Sequence, residues 1–160
     1  MASRVRDATR SIAASIGTIQ HPVSGQTVGS IGETQLAIGM GVHGESGLVL
    51  DDDISADEVS ALMIGRLVED ANALAGSRVA LLVNNAGSLT LMELSILYRG
   101  ARAALSRRGI RVARSWIGSY ATTLDQAGFG IAILSLDRDM EELYDAPANG
   151  AAFAQLRASQ

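Results

Sequence analysis

Cysteine and lysine are both absent from this 160-residue chain. Without cysteine there can be no disulfide, no thiolate nucleophile and no thiolate metal site. All 13 basic residues are arginine, set against 17 acidic ones, for a formal net charge of −4. The pI is near 5.1. That balance argues against a general nucleic-acid-binding face, and aromatics at 4% leave no base-stacking platform. No apolar run approaches the roughly 20 residues of a membrane span. The opening Met1–Asp7 alternates charge and lacks the apolar segment of a signal peptide. A soluble cytoplasmic protein is the expectation, with neither nucleic acid nor membrane as partner. Only two prolines occur, Pro22 and Pro147, near the ends of the patterned region. No linker, repeat or low-complexity tract divides the chain, so residues 1–160 are expected to form a single domain.

Hydrophobic residues make up 48% of the chain, and mean hydropathy is +0.20. That mild excess fits a buried sheet or a surface covered by a partner. The pattern alternates strands and helices. Val5–Ile16 reads as a helix, with a short strand over Ile16–Ile19. Gln35–Val42 is an apolar, glycine-dotted run expected to be a buried strand. Ser55-Ala56-Asp57-Glu58 has a capping-box pattern. Val59, Leu62, Met63, Leu67, Ala71 and Leu74 follow it at helical spacing, and Gly76 suits the stop. Arg78–Val83 reads as a strand covered on both faces. A second capping box, Thr90 to Glu93, opens a helix carrying Leu91, Leu94, Tyr98, Ala101 and Leu105, with Gly109 at its end. Ile110–Ile117 and Phe129–Leu136 read as strands. Thr123 to Gln126 could cap a short helix, and Asp137 another that holds Met140, Leu143 and Tyr144. This alternation predicts an α/β domain with a mixed or mostly parallel sheet flanked by helices.

His43 is the first candidate for chemistry. It follows an apolar strand and sits among Gly39, Gly41, Gly44 and Gly47. Ligands of α/β sheets lie beyond the carboxyl ends of strands, and glycines let a ligand approach the backbone. A neutral imidazole at cell pH could be a general base, a metal ligand or a nucleophile toward a carbonyl carbon. The plain alternative is a hydrogen-bonded histidine holding a tight loop. A metal site is poorly supported, because His21 lies in a separate loop and Glu45 is the one carboxylate close by. Gly39 to Gly44 fits a loose Gly-x-Gly-x-x-Gly, but no helical pattern follows.

Asn84 and Asn85 end one strand and precede a capped helix. They offer donors and acceptors for a hydroxylated ligand, or equally the chemistry of a turn. Asp51-Asp52-Asp53 could attract Mg²⁺, although a solvated loop before a helix start explains it as well. Arg99, Arg102, Arg107, Arg108, Arg111 and Arg114 form a basic segment, read as a solvated face or an acidic partner's seat.

Four motifs then fall in order. Gly39-Met40-Gly41-Val42-His43-Gly44-Glu45, Leu82-Val83-Asn84-Asn85 through Met92-Glu93-Leu94, Gly118-Ser119-Tyr120-Ala121-Thr122-Thr123-Leu124-Asp125 with Ala127-Gly128-Phe129, and Asp145-Ala146-Pro147 resemble the dihydroxyacetone (glycerone) kinase family. The likeness runs from about Ile12 to Phe153, over the carboxy-terminal half of the DAK1-type substrate-binding domain. It implies that His43 holds a short-chain ketose, dihydroxyacetone or a relative such as erythrulose, as a covalent hemiaminal. Gly41, Gly44, Glu45, Asn84 and Asn85 would line or support the site. The resemblance implies a phosphotransferase that works only as part of a complex, with no cofactor on this chain. ATP and Mg²⁺ would sit on a partner domain or subunit, fed directly or through a phosphoprotein. The partner would carry the amino-terminal kinase domain, and a homo-oligomer is also allowed. Met1 fits a natural half of a split kinase as well as a piece of a longer chain. Ser46, Ala86, Leu89-Thr90 and Ser95 depart from the family's usual residues, which bears on substrate identity. A non-catalytic carbonyl-sugar sensor or regulatory module of the same fold is the alternative, and an isomerase a third reading.

Overall fold

The computed structural model describes residues 1–17, 19–20, 23–28, 32, 35–39, 47–50, 54–123, 127–150 and 153–155. Along the chain the elements are α1 (Ala2–Ala8), β1 (Thr9–Ile16), β2 (Ile19–Gln20), β3 (Thr27–Val28), β4 (Leu36–Ile38), β5 (Leu48–Leu50) and α2 (Ala56–Asp70). They continue with β6 (Arg78–Asn85), α3 (Leu91–Arg107), β7 (Arg111–Gly118), β8 (Gly128–Ser135), α4 (Arg138–Tyr144), β9 (Ala148–Gly150) and β10 (Phe153–Gln155). Six strands form one sheet in the order β5-β4-β1-β8-β6-β7. Its pairs are antiparallel except β6–β7, which α3 joins as a crossover. The fold is α/β as expected, and of the two sheet types anticipated the mixed one holds. The sheet is not mostly parallel, because β8 returns antiparallel between β1 and β6 instead of extending the β6–β7 pair. β2–β3 and β9–β10 form two small hairpins apart from it.

Alternation sorts the side chains onto two faces. Val79, Leu81 and Val83 of β6, with Phe129, Ile131 and Ile133 of β8, pack under α2 and α3 in the main core. Both helices start on the boxes seen in the sequence. The Ser55 backbone N–H donates to Glu58 Oε2 at 2.9 Å, and the Thr90 backbone N–H to Glu93 Oε2 at 2.7 Å. α3 ends as expected. Gly109, at φ 69, donates to Ser106 O, and Ile110 donates to Leu105 O and is itself buried.

Three expectations need correction. Gly76 does not stop α2; Asn72 takes the left-handed position at φ 50, with Ala73 N donating to Val68 O. The helix therefore ends before Leu74, which is 75% exposed. Leu91 is likewise exposed, in the first turn of α3. The expected helix Val5–Ile16 is a short helix followed by a strand. Thr9–Ser15 pairs with all of β8 between Gly128 and Leu134, and Ala14–Ile16 pairs with β4. Alanine-rich sequence favours a helix locally, but a central place in the sheet overrides that preference. β4 covers only the first part of the expected 35–42 strand, and residues 40–42 lie outside the described ones.

Candidate functional site

The carboxyl ends of the parallel pair β6 and β7 lie side by side, Asn84 opposite Gly118. Both strands run out into irregular backbone there, 86–90 before α3 and 119–123 after β7; residues 124–126, where the sequence suggested a short helix capped from Thr123, lie outside the described ones. Two of the motifs in the sequence meet at this edge, and the two asparagines tie them together.

Asn84 faces the loop after β7. Its Oδ1 accepts the backbone N–H groups of Tyr120 at 2.8 Å and Ala121 at 2.9 Å. Its Nδ2 donates to Ala121 O at 2.7 Å and to Asn85 O at 3.0 Å. Asn85 points to the other face of the sheet and is buried. Its Oδ1 accepts from Gly87 N and Leu89 N at 3.0 and 3.1 Å. Its Nδ2 donates to Leu89 O at 2.9 Å, Gly87 O at 3.2 Å and Ser119 Oγ at 3.2 Å. Thr123 adds a further tie, its N–H and its hydroxyl both donating to Ala86 O. Each amide thus uses both its oxygen and its nitrogen on the rim itself. The asparagines shape the edge by holding its backbone groups in place.

Gly128 explains its place in the third motif. A Cβ there would stand 2.5 Å from the carbonyl oxygen of Ala14 on the neighbouring strand. Glycine lets β8 enter the sheet beside β1, which fixes where the loop from β7 ends.

His43, Gly41, Gly44 and Glu45 lie outside the described residues, as do Asp51, Asp52 and Asp53. The strands that flank the histidine segment are described. Ile38 of β4 pairs with Leu48 of β5, so residues 39–47 link two neighbouring antiparallel strands. Ile38 is opposite Ala14, Ala14 opposite Phe129, and Phe129 opposite Asn85. The histidine segment therefore leaves the sheet level with Asn85, three strand spacings away, or about 14 Å.

The fourth motif works elsewhere. Arg114 Nε donates to Asp145 Oδ1 at 2.6 Å, and Arg114 also meets Glu141 at 3.2 Å. Glu141 pairs with Arg78 as well. Hydrogen bonding from Arg114 holds the Asp145 carboxyl below its usual range. This network fastens α4 and the following turn to β6 and β7. Nothing in the sequence paired Arg114 with a carboxylate 31 positions later. Arg99 pairs with Asp57, and Arg108 Nη1 donates to Ala104 O at 3.1 Å, so parts of the basic segment serve the fold. Among the described residues no group of three or more His, Asp or Glu side chains could hold a metal ion, and no helix is long and apolar enough to cross a membrane.

Comparison with known proteins adds independent findings. A model of the Dak1 domain matches residues 1–152. The dihydroxyacetone-binding subunit DhaK of PTS-dependent dihydroxyacetone kinase 2 from Listeria innocua is 31% identical over 141 residues, 88% of this chain and 43% of that subunit. L-erythrulose kinase of Pectobacterium atrosepticum is 30% identical over 158 residues, 96% of this chain and 27% of that enzyme. Among solved structures, the dihydroxyacetone kinase operon co-activator DhaQ superposes with a TM-score of 0.85 at 22% identity, over 96% of this chain and 48% of that one. The chain spans less than half the length of each of these relatives.

Proposed function

This chain belongs to the Dak1 domain family, and from that premise we propose that it is the substrate-binding part of a kinase for dihydroxyacetone or a related short-chain ketose. His43 is the covalent anchor. The neutral ring nitrogen adds its lone pair to the ketone carbon. The C=O π pair moves onto oxygen, which takes up the proton that the ring N–H gives up. No atom leaves, so the adduct carries the whole mass of the ketose. An alcohol such as glycerol offers no electrophilic carbon, which gives the site its selectivity. Gly41 and Gly44 leave room for the ligand beside the backbone, and Glu45 supports the bound sugar.

The observation that carries this reading is the knitted edge at Asn84 and Asn85. Two motifs of the family meet there, and the histidine segment departs from the sheet at the same level. The asparagines hold backbone groups in place for a hydroxylated ligand and do not themselves reach for it. Phosphoryl transfer falls to a partner domain or subunit bearing ATP and Mg²⁺, so the chain alone transfers no phosphoryl group.

Native mass spectrometry of the chain with dihydroxyacetone, and separately with erythrulose, tests the anchor. The wild type gains one ketose mass and His43→Ala gains none. Equal adducts on both, or none on either, would remove His43 from the chemistry. The operon co-activator of the same fold supports a second reading, a sensor of carbonyl sugars. A sensor would form the same adduct, yet would yield no phosphorylated ketose with any kinase partner and ATP.

A further inference from the structure

Asn149-Gly150 is the one Asn-Gly pair in the sequence, and ketose binding makes no use of it. It lies in β9, whose residues are all exposed. β9 pairs with β10 and with no strand of the main sheet. A lone two-stranded hairpin this short is only marginally stable in water, so it opens and closes readily. Gln155 clasps it to the end of α4, its Nε2 donating to Tyr144 O and, at 3.2 Å, to Ala146 O. The other asparagines stand differently. Asn84 and Asn85 spend both ends of their amides on hydrogen bonds, and Asn85 is buried. Asn72 is exposed, but the next backbone nitrogen, that of Ala73, donates to Val68 O at the end of α2 and carries a methyl beside it. The side chain of Asn149 has no hydrogen bond among the described residues, and the residue after it has no Cβ to obstruct a close approach.

We propose that Asn149 is a site of spontaneous modification by water, which converts it to aspartate and isoaspartate. Gly150 pairs with Phe153 while the hairpin is closed, so the reaction belongs to its open state. There the Gly150 backbone nitrogen loses its proton to base and attacks Cγ of Asn149. The Cγ–Nδ2 bond breaks, the departing nitrogen takes a proton from water and leaves as ammonia, and a five-membered succinimide closes. Water then adds to either ring carbonyl carbon, and the bond from that carbon to the ring nitrogen breaks. Breakage at Cγ gives aspartate. Breakage at the main-chain carbonyl carbon gives isoaspartate. The sum consumes water and releases ammonia, with nothing oxidised or reduced. Either product places a negative charge on the exposed hairpin. Isoaspartate also runs the backbone through Cβ and Cγ, which lengthens it by a methylene and breaks the register of Asn149 with Ala154. The Gln155 clasp then loses its alignment with the carbonyls of Tyr144 and Ala146.

Peptide mapping by tandem mass spectrometry tests it. The full, folded chain is incubated at mildly alkaline pH, sampled over time, digested and read at each asparagine. Asn149 is expected to convert about tenfold faster than Asn72, Asn84 or Asn85, because it alone has an unhindered nitrogen behind it. Its aspartate and isoaspartate forms should separate as two products of equal mass. The rate should rise with pH, since the attacking nitrogen must first lose its proton. Gly150→Ala, with circular dichroism unchanged, should slow the conversion about tenfold by placing a methyl in the way of ring closure. Conversion of Asn149 no faster than that of Asn84 overturns the proposal. So does indifference to Gly150→Ala. Conversion that starts only when urea unfolds the chain overturns it as well, because the hairpin would then hold Gly150 back from attack. No ketose enters the measurement, so failure of His43 as the anchor would leave it untouched.

Discussion

At the scale of single residues, Asn85 carries the strongest local consequence. Its buried amide satisfies two backbone N–H groups and the carbonyls of Gly87 and Leu89 in a loop with few other partners. Asn85→Ala strands those groups, which should cost about 2–3 kcal/mol. A matching fall in the urea midpoint is the check. Asn85→Asp should not rescue it, because a carboxylate keeps the acceptors and loses the donors that face Leu89 O and Ser119 Oγ. The sequence showed this pair as polar residues at a strand–helix junction and left turn and ligand roles equally open. The same side chains suit both, so only their partners decide. Some of those partners lie 34 to 37 positions away, beyond any local pattern. His43 stood out in the sequence for the opposite reason: its glycine neighbours and its reactive ring are local features.

At the scale of elements, what was legible was what neighbours determine. Both capping boxes, the end of α3 at Gly109, and β6, β7 and β8 follow from short-range chemistry. β1 did not, because its strand state comes from β8 and β4, distant in sequence. The crossing of α2 and α3 was not legible either, since a glycine inside a helix looks like a weakness. Gly100 is where the helices touch. A Cβ there would stand 3.0 Å from Ser60 Cβ and Oγ and from Asp57 Oδ1. Ser60 is fully buried and donates to Leu97 O at 3.2 Å, so it has little room to move. Gly100→Val should push the helices apart and cost about 1–3 kcal/mol by overpacking. Chemical denaturation measures it, and an unchanged midpoint would show that the helices yield without strain.

For the whole molecule, the protonatable groups set a window of stability with two different edges. On the acid side, Asp145 is held below its usual value by Arg114, Asp137 by the backbone N–H of Met140 and then Arg4, and Glu58 and Glu93 by the hydroxyls of their caps. A carboxyl whose folded pKa is depressed lends stability above its unfolded pKa, near 4, and loses it as pH falls through the folded value. On the alkaline side Tyr144 runs the other way. Burial is the main cause that pushes its phenol up from 10.0 to about 12, so the fold favours the neutral form. That contribution is complete below about pH 10 and disappears as pH climbs toward 12. The urea midpoint should therefore be flat between about pH 5 and 10, and fall on both sides. Two variants assign the edges. Asp145→Asn should lower the plateau and soften the acid fall, because it frees Arg114 from its main partner. Tyr144→Phe should leave the plateau level or slightly raised, since that buried hydroxyl has no hydrogen-bond partner. It should also flatten the alkaline fall. An alkaline edge that survives Tyr144→Phe unchanged would place the responsible group elsewhere.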